Sequence, residues 1–195
     1  MGKRDNKVLS LIGVDLTNAD KAQLRNYFES TIEHGMYGVG FSAYEEGQKP
    51  GDDISLDQVR RRMKIIKPHF KWVRSFSCSQ GNDSVPIVAR EMGLKTLVGA
   101  WLGVDAEKNN EEIQRLIELA QDGFVDVAAV GNEVMYRGDL TENELLDYIY
   151  KVKEALPNVP VGYVDAYYEF EDRPAITEAC DVILANCYPF WEGCA

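Results

Sequence analysis

The sequence predicts an α/β fold built on a parallel sheet, on three observations. From residue 36 onward, short runs of β-branched and small residues alternate with segments of helical periodicity. Single helices separate the strands at intervals of roughly 20–35 residues, the spacing of βα units. Each helix opens on a capping residue and closes on Gly or Pro. Parallel neighbours need a long crossover, and such crossovers are right-handed.

In chain order, residues 17–33 read as an amphipathic helix with Leu24, Tyr27, Phe28, Thr31 and Ile32 on one face. The first strand is MYGVGFSAY at 36–44. Ser55 with Gln58 forms a capping box that opens the next helix, and Pro68 stops it. The strand KWVRSFS at 71–77 leads to a helix ending before Gly93, and KTLVGAWL at 95–102 to one ending before Gly123. The fourth strand is VDVAAVGNE at 125–133. Thr141 and Glu144 make a second capping box, on a helix that Pro157 ends. The strands PVGYVDAY at 160–167 and DVILANCY at 181–188 complete the series. With no Pro/Ser-rich linker or low-complexity stretch, residues 1–195 read as a single partial barrel domain with an extra helical segment at about 1–35.

Composition narrows the function. The chain has 195 residues, 45% hydrophobic and 27% charged, enough for one well-buried core. A formal charge of −11 argues against nucleic acid and anionic membrane as partners, since both select a concentrated basic face. A neutral substrate suits it better. The basic cluster Arg60-Arg61-Arg62 with Lys64 sits among Leu56, Val59, Met63 and Ile66 at helical spacing, so its charges belong to a solvated face. Cys78, Cys180, Cys187 and Cys194 show no metal spacing and read as free thiols. The start MGKRDNKVLSLIGV lacks a cleavage pattern, which leaves a cytoplasmic location as the expectation. No apolar run approaches the roughly 20 residues of a membrane span.

Two parallel-sheet architectures compete. GVGFSA at 38–43 matches a dinucleotide fingerprint, but that motif must turn directly into a helix, and here a loop, YEEGQKPGDD, follows. The (β/α)8 TIM-barrel type, incomplete at about six βα units, accounts for more. In that architecture the residues that act on substrate gather at the C-terminal ends of the strands. Those ends carry Tyr44, Ser75 and Ser77, Trp101, Asn132 with Glu133, Asp165, and Asn186 with Tyr188. Aromatic rings stack on sugar faces while amides and carboxylates bind hydroxyls, so the set suits a neutral carbohydrate.

The pair Asn132-Glu133 is the sharpest signal. A carboxylate at the end of a buried strand is costly unless paired or protonated, and a protonated one is what glycosidic cleavage needs. Retaining enzymes place a second carboxylate roughly 5–5.5 Å away as nucleophile, while inverting enzymes hold the pair roughly 6.5–9.5 Å apart around a water. An amide beside the acid can bind the sugar 2-hydroxyl. Glu133 could equally be a charge near the helix opened at Thr141.

VGNEVMYRGDLT, VGYVDAYYEF and ANCYPFWEG, in that order, resemble glycoside hydrolase family 17, the β-1,3-glucanases and related β-glucan transferases. The resemblance runs from about residue 36 to the end. It implies that Glu133 is the acid/base of a retaining mechanism, that Asn132 meets the 2-hydroxyl, and that Tyr44, Asn186 and Tyr188 contact sugar. It also implies a β-glucan oligosaccharide or polysaccharide as partner. The family nucleophile, a Glu in a Glu-Ser/Thr-Gly-Trp type motif on the seventh strand, has no counterpart here. The chain therefore reads as truncated after the sixth strand, with open edges suited to self-association.

Other residues divide between roles. Trp191, between Phe190 and Glu192, fits a sugar platform, and Trp101 fits either a platform or packing. Asp165 could orient a substrate hydroxyl or pair with Arg74, which could itself support the carboxylates. His34 and His69 fall at helix ends and are excluded from chemistry. No metal spacing and no cofactor motif are found. The competing reading is a catalytically inactive glycan-binding or scaffold fragment. A lyase or aldolase is weaker, because no strand-end Lys suits a Schiff base.

Overall fold

The computed structural model of the chain describes residues 16–189 and 191–193. The readings of the first fourteen residues and of Cys194 lie outside them. The fold has two compact units, one up to Met36 and one from Tyr37 onward.

The first unit holds α1 (Lys21–His34). Its start is set by a capping box that the periodicity did not reveal. Asp20 Oδ1 accepts from the Ala22 and Gln23 amides at 2.8 and 2.9 Å, while Gln23 Oε1 accepts from the Asp20 amide at 2.9 Å. The helix ends at Gly35, and none of its residues is buried.

The second unit is a six-stranded parallel sheet in the order β1-β2-β3-β4-β5-β6. The strands are β1 (Met36–Gly40), β2 (Phe70–Arg74), β3 (Lys95–Ala100), β4 (Val127–Asn132), β5 (Val161–Ala166) and β6 (Val182–Asn186). Strand order never reverses, so the doubly wound alternative fails and the sheet curls into a half-barrel. Between the strands lie α2 (Leu56–Ile66), α3 (Ser84–Glu91), α4 (Ala106–Gln121), α5 (Val134–Arg137), α6 (Glu142–Ala155), α7 (Tyr167–Asp172) and α8 (Pro174–Ala179). The dinucleotide match falls across the end of β1 and its loop, with no helix until Leu56.

Side-chain alternation separates the two faces of the sheet. Val98 and Ala100 of β3, with Leu102 just beyond, pack against Ile113, Leu116 and Leu119 of α4. Val73 of β2 packs against Val59 and Met63 of α2 and Val85 and Val88 of α3. Each of the Val, Leu, Ile and Met side chains among them, fully buried, contributes roughly 1.5–3 kcal/mol. Their sequence neighbours Arg74, Leu97, Gly99 and Trp101 turn to the opposite, concave face. Gly162 permits close approach on that face, since a Cβ there would lie 2.4 Å from the Val182 carbonyl oxygen.

The helix ends test the capping assignments one by one. Thr141 and Glu144 form the full box on α6. Ser55 Oγ accepts from the Gln58 amide at 3.2 Å, but the Gln58 side chain does not return. Its Nε2 instead donates to the Ala43 carbonyl at 2.9 Å, tying α2 to the loop after β1. Gly93 and Gly123 take the left-handed conformation expected of them, at φ 76° and 83°. Arg60 pairs with Glu91 and Arg61 with Glu45 on the surface of α2.

Candidate active site

The strands end earlier than hydropathy suggests, and the released residues build the site. β4 stops at Asn132, after a register irregularity between Ala129 and Asn132 against Gly162 and Val164 of β5. Gly131 sits there at φ +88°, where a Cβ would come within 2.8 Å of Val134 Cγ2. The bulge re-aims the strand end. Asn132 reaches the concave face, where its Oδ1 accepts from Arg74 Nη2 at 2.5 Å. Glu133 follows at φ 54°, ψ 33°, a left-handed backbone that costs a non-glycine residue about 1–2 kcal/mol.

Several groups hold that conformation. The Glu133 amide donates to the Val164 carbonyl at 2.7 Å. Asp165 Oδ2 accepts from the Met135 and Tyr136 amides at 3.2 and 3.3 Å and from the Tyr163 hydroxyl. That hydroxyl accepts from the Met135 amide at 2.9 Å. Burial, and then the Asp165 hydrogen bond, push the Tyr163 phenol far above its ordinary range, so it stays a neutral donor. The Arg137 guanidinium donates to the Asn132 carbonyl and, at 2.8 Å, to the Leu102 carbonyl.

The Glu133 carboxylate itself is fixed from β6. Its Oε1 accepts from Asn186 Nδ2 at 2.8 Å and from the Tyr188 hydroxyl at 2.5 Å. Burial raises the Tyr188 pKa first, the Glu133 hydrogen bond and charge add to it, and the phenol is pushed up to about 12. Arg74 lies with its guanidinium carbon 4.5 Å from the Phe76 ring centroid. Burial lowers its pKa, opposed by Tyr188 and Glu133, and it remains a cation at neutral pH.

Glu133, Asn132, Asn186 and Tyr188 therefore come together around Arg74. Tyr44 lies in the loop after β1, where its hydroxyl accepts from Asn82 Nδ2 at 3.2 Å. Trp191 is 81% exposed in the segment after β6. Asp165 does not present itself to a substrate. It is 0% exposed, its Oδ1 accepts from the Ala166 amide at 2.7 Å, and its other oxygen serves α5. Nor does Asp165 pair with Arg74, whose partner is Asn132.

Three residues of this architecture escaped the sequence reading: Glu112, Arg137 and Tyr163. Glu112 is 4% exposed and accepts from Ser77 Oγ, Ser79 Oγ and the Cys78 amide, each at 2.6 Å, and from the Trp101 amide at 3.1 Å. A carboxylate in line with the apolar stripe of α4, one turn before Leu116, was the signal. Arg137 carried none, because a four-residue helix shows no period.

Known proteins resemble this chain in sequence and fold. Residues 38–195 match the BtgE/BtgC glycoside hydrolase domain. A glucan 1,3-beta-glucosidase of Arthroderma benhamiae is 28% identical over 81% of this chain and 54% of its own length. Glucan 1,3-beta-glucosidase BGL2 of Candida albicans is 26% identical over 84% of this chain and 59% of its own. The glycoside hydrolase family 17 beta-1,3-glucanosyltransferase from Rhizomucor miehei superposes with a TM-score of 0.69 at 26% identity, over 83% of this chain and 60% of that one. An active-site mutant of that transferase is known in complex with laminaritriose. The chain thus spans a little over half the length of the relatives it matches. A domain match over most of its residues and a family 17 structure laid on its half-barrel agree, and the chain belongs to glycoside hydrolase family 17, with the BtgE/BtgC glycoside hydrolase domain.

Proposed function

We propose that this chain carries the acid/base side of an active site that cleaves or transfers β-1,3-glucosidic bonds, with Glu133 as the proton donor. The observation that carries the reading is the convergence on Glu133: Asn186 and Tyr188 fix its carboxylate, and Asn132 stands beside it, held by Arg74. The names of the relatives support glucan as substrate. Asn132 has its oxygen engaged by Arg74, which turns its amide NH2 toward the sugar 2-hydroxyl. Asn186, Tyr188, Tyr44 and Trp191 supply further sugar contacts in this reading. Asp165 contributes by holding the turn that carries Glu133.

In the retaining mechanism Glu133 passes its proton to the glycosidic oxygen as the C1–O bond breaks. The leaving sugar departs as an alcohol, and a second carboxylate bonds to C1. Glu133, now ionised, then takes a proton from water or from a sugar hydroxyl, whose oxygen displaces the second carboxylate. Water gives hydrolysis; a sugar hydroxyl gives transfer.

A second reading is a glycan-binding module without turnover. Residues 1–195 hold no Glu-Ser/Thr-Gly-Trp type motif, and the relatives extend well beyond the length matched here. The two readings make one prediction for residues 1–195: oligosaccharide binding without meaningful release of sugar from laminarin. The test is a reducing-sugar assay on the purified chain beside Glu133→Gln. Clear turnover that disappears in the variant would show that a nucleophile is present, and Glu192 would be the first residue to replace.

A further inference from the structure

Trp101 is the first residue past β3, and the alternation of that strand sets its direction. Val98, Ala100 and Leu102 all pack in the core beneath α4, so Trp101 turns with Leu97 and Gly99 to the concave face that carries Arg74. The residue is 43% exposed, although a tryptophan usually buries more of itself. Two interactions keep it there. Its amide donates to Glu112 Oε2 at 3.1 Å, and Glu112 is anchored in turn by Ser77, Ser79 and the Cys78 amide. The Arg137 guanidinium carbon lies 4.5 Å from the indole centroid. The same guanidinium bonds the Asn132 and Leu102 carbonyls and pairs with Asp139 Oδ2 at 2.7 Å.

One cation is therefore shared between an indole face and the main chain of the residue preceding Glu133. A cation stacked on a ring fixes its plane and takes that face from any ligand, so the exposed area belongs to the rest of the ring. Through Arg137 the indole is tied to the turn that carries the Asn132 amide and the Glu133 carboxylate, groups that bind hydroxyls. A pyranose needs this pairing of a flat apolar surface for its C–H face with polar groups at its edge.

We infer that Trp101 is a sugar platform, an additional subsite for a β-glucan chain whose reacting unit lies at Glu133. The inference rests on the proposed function and extends it by one sugar-binding position. Arg137 and Glu112 are positioning residues, Arg137 acting on the indole face and Glu112 on the Trp101 main chain. A platform outside the reacting position adds affinity only when the ligand is long enough to reach it, and this dependence on length separates a subsite from a packing role.

The experiment is calorimetric titration of the purified chain with glucose, laminaribiose, laminaritriose and laminaripentaose. Affinity is expected to rise with length in the parent chain. Trp101→Leu keeps an apolar side chain but removes the flat face. It should flatten the rise and weaken the longest ligand by about tenfold, while Trp101→Tyr restores most of the difference. A uniform loss at every length, or equal binding by Trp101→Leu and the parent, overturns the inference. Asn186→Ala serves as the control at the reacting position. If it weakens binding while Trp101→Leu does not, the platform falls and the proposed function stands. If the parent binds none of the four ligands, both fall together. Thermal unfolding of each variant accompanies the titrations, and Trp101→Tyr carries the comparison should Trp101→Leu fail to fold.

Discussion

Glu133 occupies a backbone conformation that its own side chain disfavours, and the residues around it explain why it stays. Gly131 makes the bulge, Asp165 and Tyr163 hold the start of α5, and Arg137 clamps the Asn132 carbonyl. Non-glycine residues at positive φ persist where the surroundings over-determine them, often at functional sites. Gly131→Ala should destabilise the chain by about 1–3 kcal/mol in urea unfolding, because the new methyl meets Val134 in a strained backbone. A cost below about 0.5 kcal/mol would mean that the bulge relaxes freely. Asp165→Ala leaves the Tyr136 and Ala166 amides and the buried Tyr163 hydroxyl without their acceptor, while the Met135 amide keeps the Tyr163 oxygen, and the loss costs about 3 kcal/mol. Asp165→Asn keeps one acceptor oxygen and should cost less; equal loss in the two variants would argue that shape, not acceptance, is what matters. At this scale the sequence placed Asn132, Glu133, Asn186 and Tyr188 at strand ends, where Asn132 and Asn186 close β4 and β6 and Glu133 and Tyr188 follow just beyond them. It misled for Asp165, because a strand-end carboxylate looks the same whether it faces a substrate or a neighbouring turn. The face was decided by Tyr163, two residues earlier on the same side of β5 and packed in the core.

The elements were legible where their period was long enough to show. Six strands and the longer helices follow from apolar spacing and caps, and each strand ends sooner than its hydropathy does. Ser77 and Trp101 are strand-like residues that leave the ladder because their polar groups find another partner: the Ser77 hydroxyl and the Trp101 amide both donate to Glu112. The helices α5, α7 and α8 are too short to carry a period and were not anticipated. Glu112 joins three elements at once, receiving four hydrogen bonds from the segments after β2 and β3. Glu112→Ala should therefore lower stability by about 3 kcal/mol and loosen both segments, seen as faster amide exchange at Cys78 and Trp101. Unchanged exchange at those amides would refute the joining role. Before β6, Asp181 accepts from Lys153 Nζ at 2.7 Å and from the Val161 amide at 3.0 Å. The Lys153 hydrogen bond, then the Val161 amide, hold its carboxyl below the ordinary 3.8. A folded pKa below the unfolded one stabilises above the unfolded value and ceases to do so as pH falls through the folded value. Asp181→Asn should thus cost stability at pH 7 but little at pH 2, and exposure of the pair keeps the difference within about 1 kcal/mol. An equal effect at both pH values would assign the loss to packing.

For the second unit as a whole, the sheet order leaves β1 and β6 at its two ends. Edge strands present unpaired backbone groups, and an apolar edge promotes pairing with another chain. Both ends expose apolar side chains, Tyr37 at 76% on β1 and Ile183 on β6. Ile183 aligns with Tyr163 of β5, which helices cover, yet Ile183 is itself 39% exposed. Charge acts in the opposite sense, because a formal −11 on every molecule repels its copies. That repulsion is long-ranged and weakens with salt, whereas apolar contact and strand pairing are short-ranged and do not. The balance predicts self-association that grows with protein concentration and with ionic strength, measured by sedimentation velocity. Ile183→Lys places a charge on the edge strand without touching the Glu133 cluster, so it should suppress association and leave oligosaccharide binding unchanged. A chain that sediments as a monomer at every concentration and salt, or an Ile183→Lys variant that associates as the parent does, would remove β6 as the contact. Association that weakens as salt rises would instead point to pairing between opposite charges on the surface, for which the Arg60–Arg62 face of α2 carries positive charge.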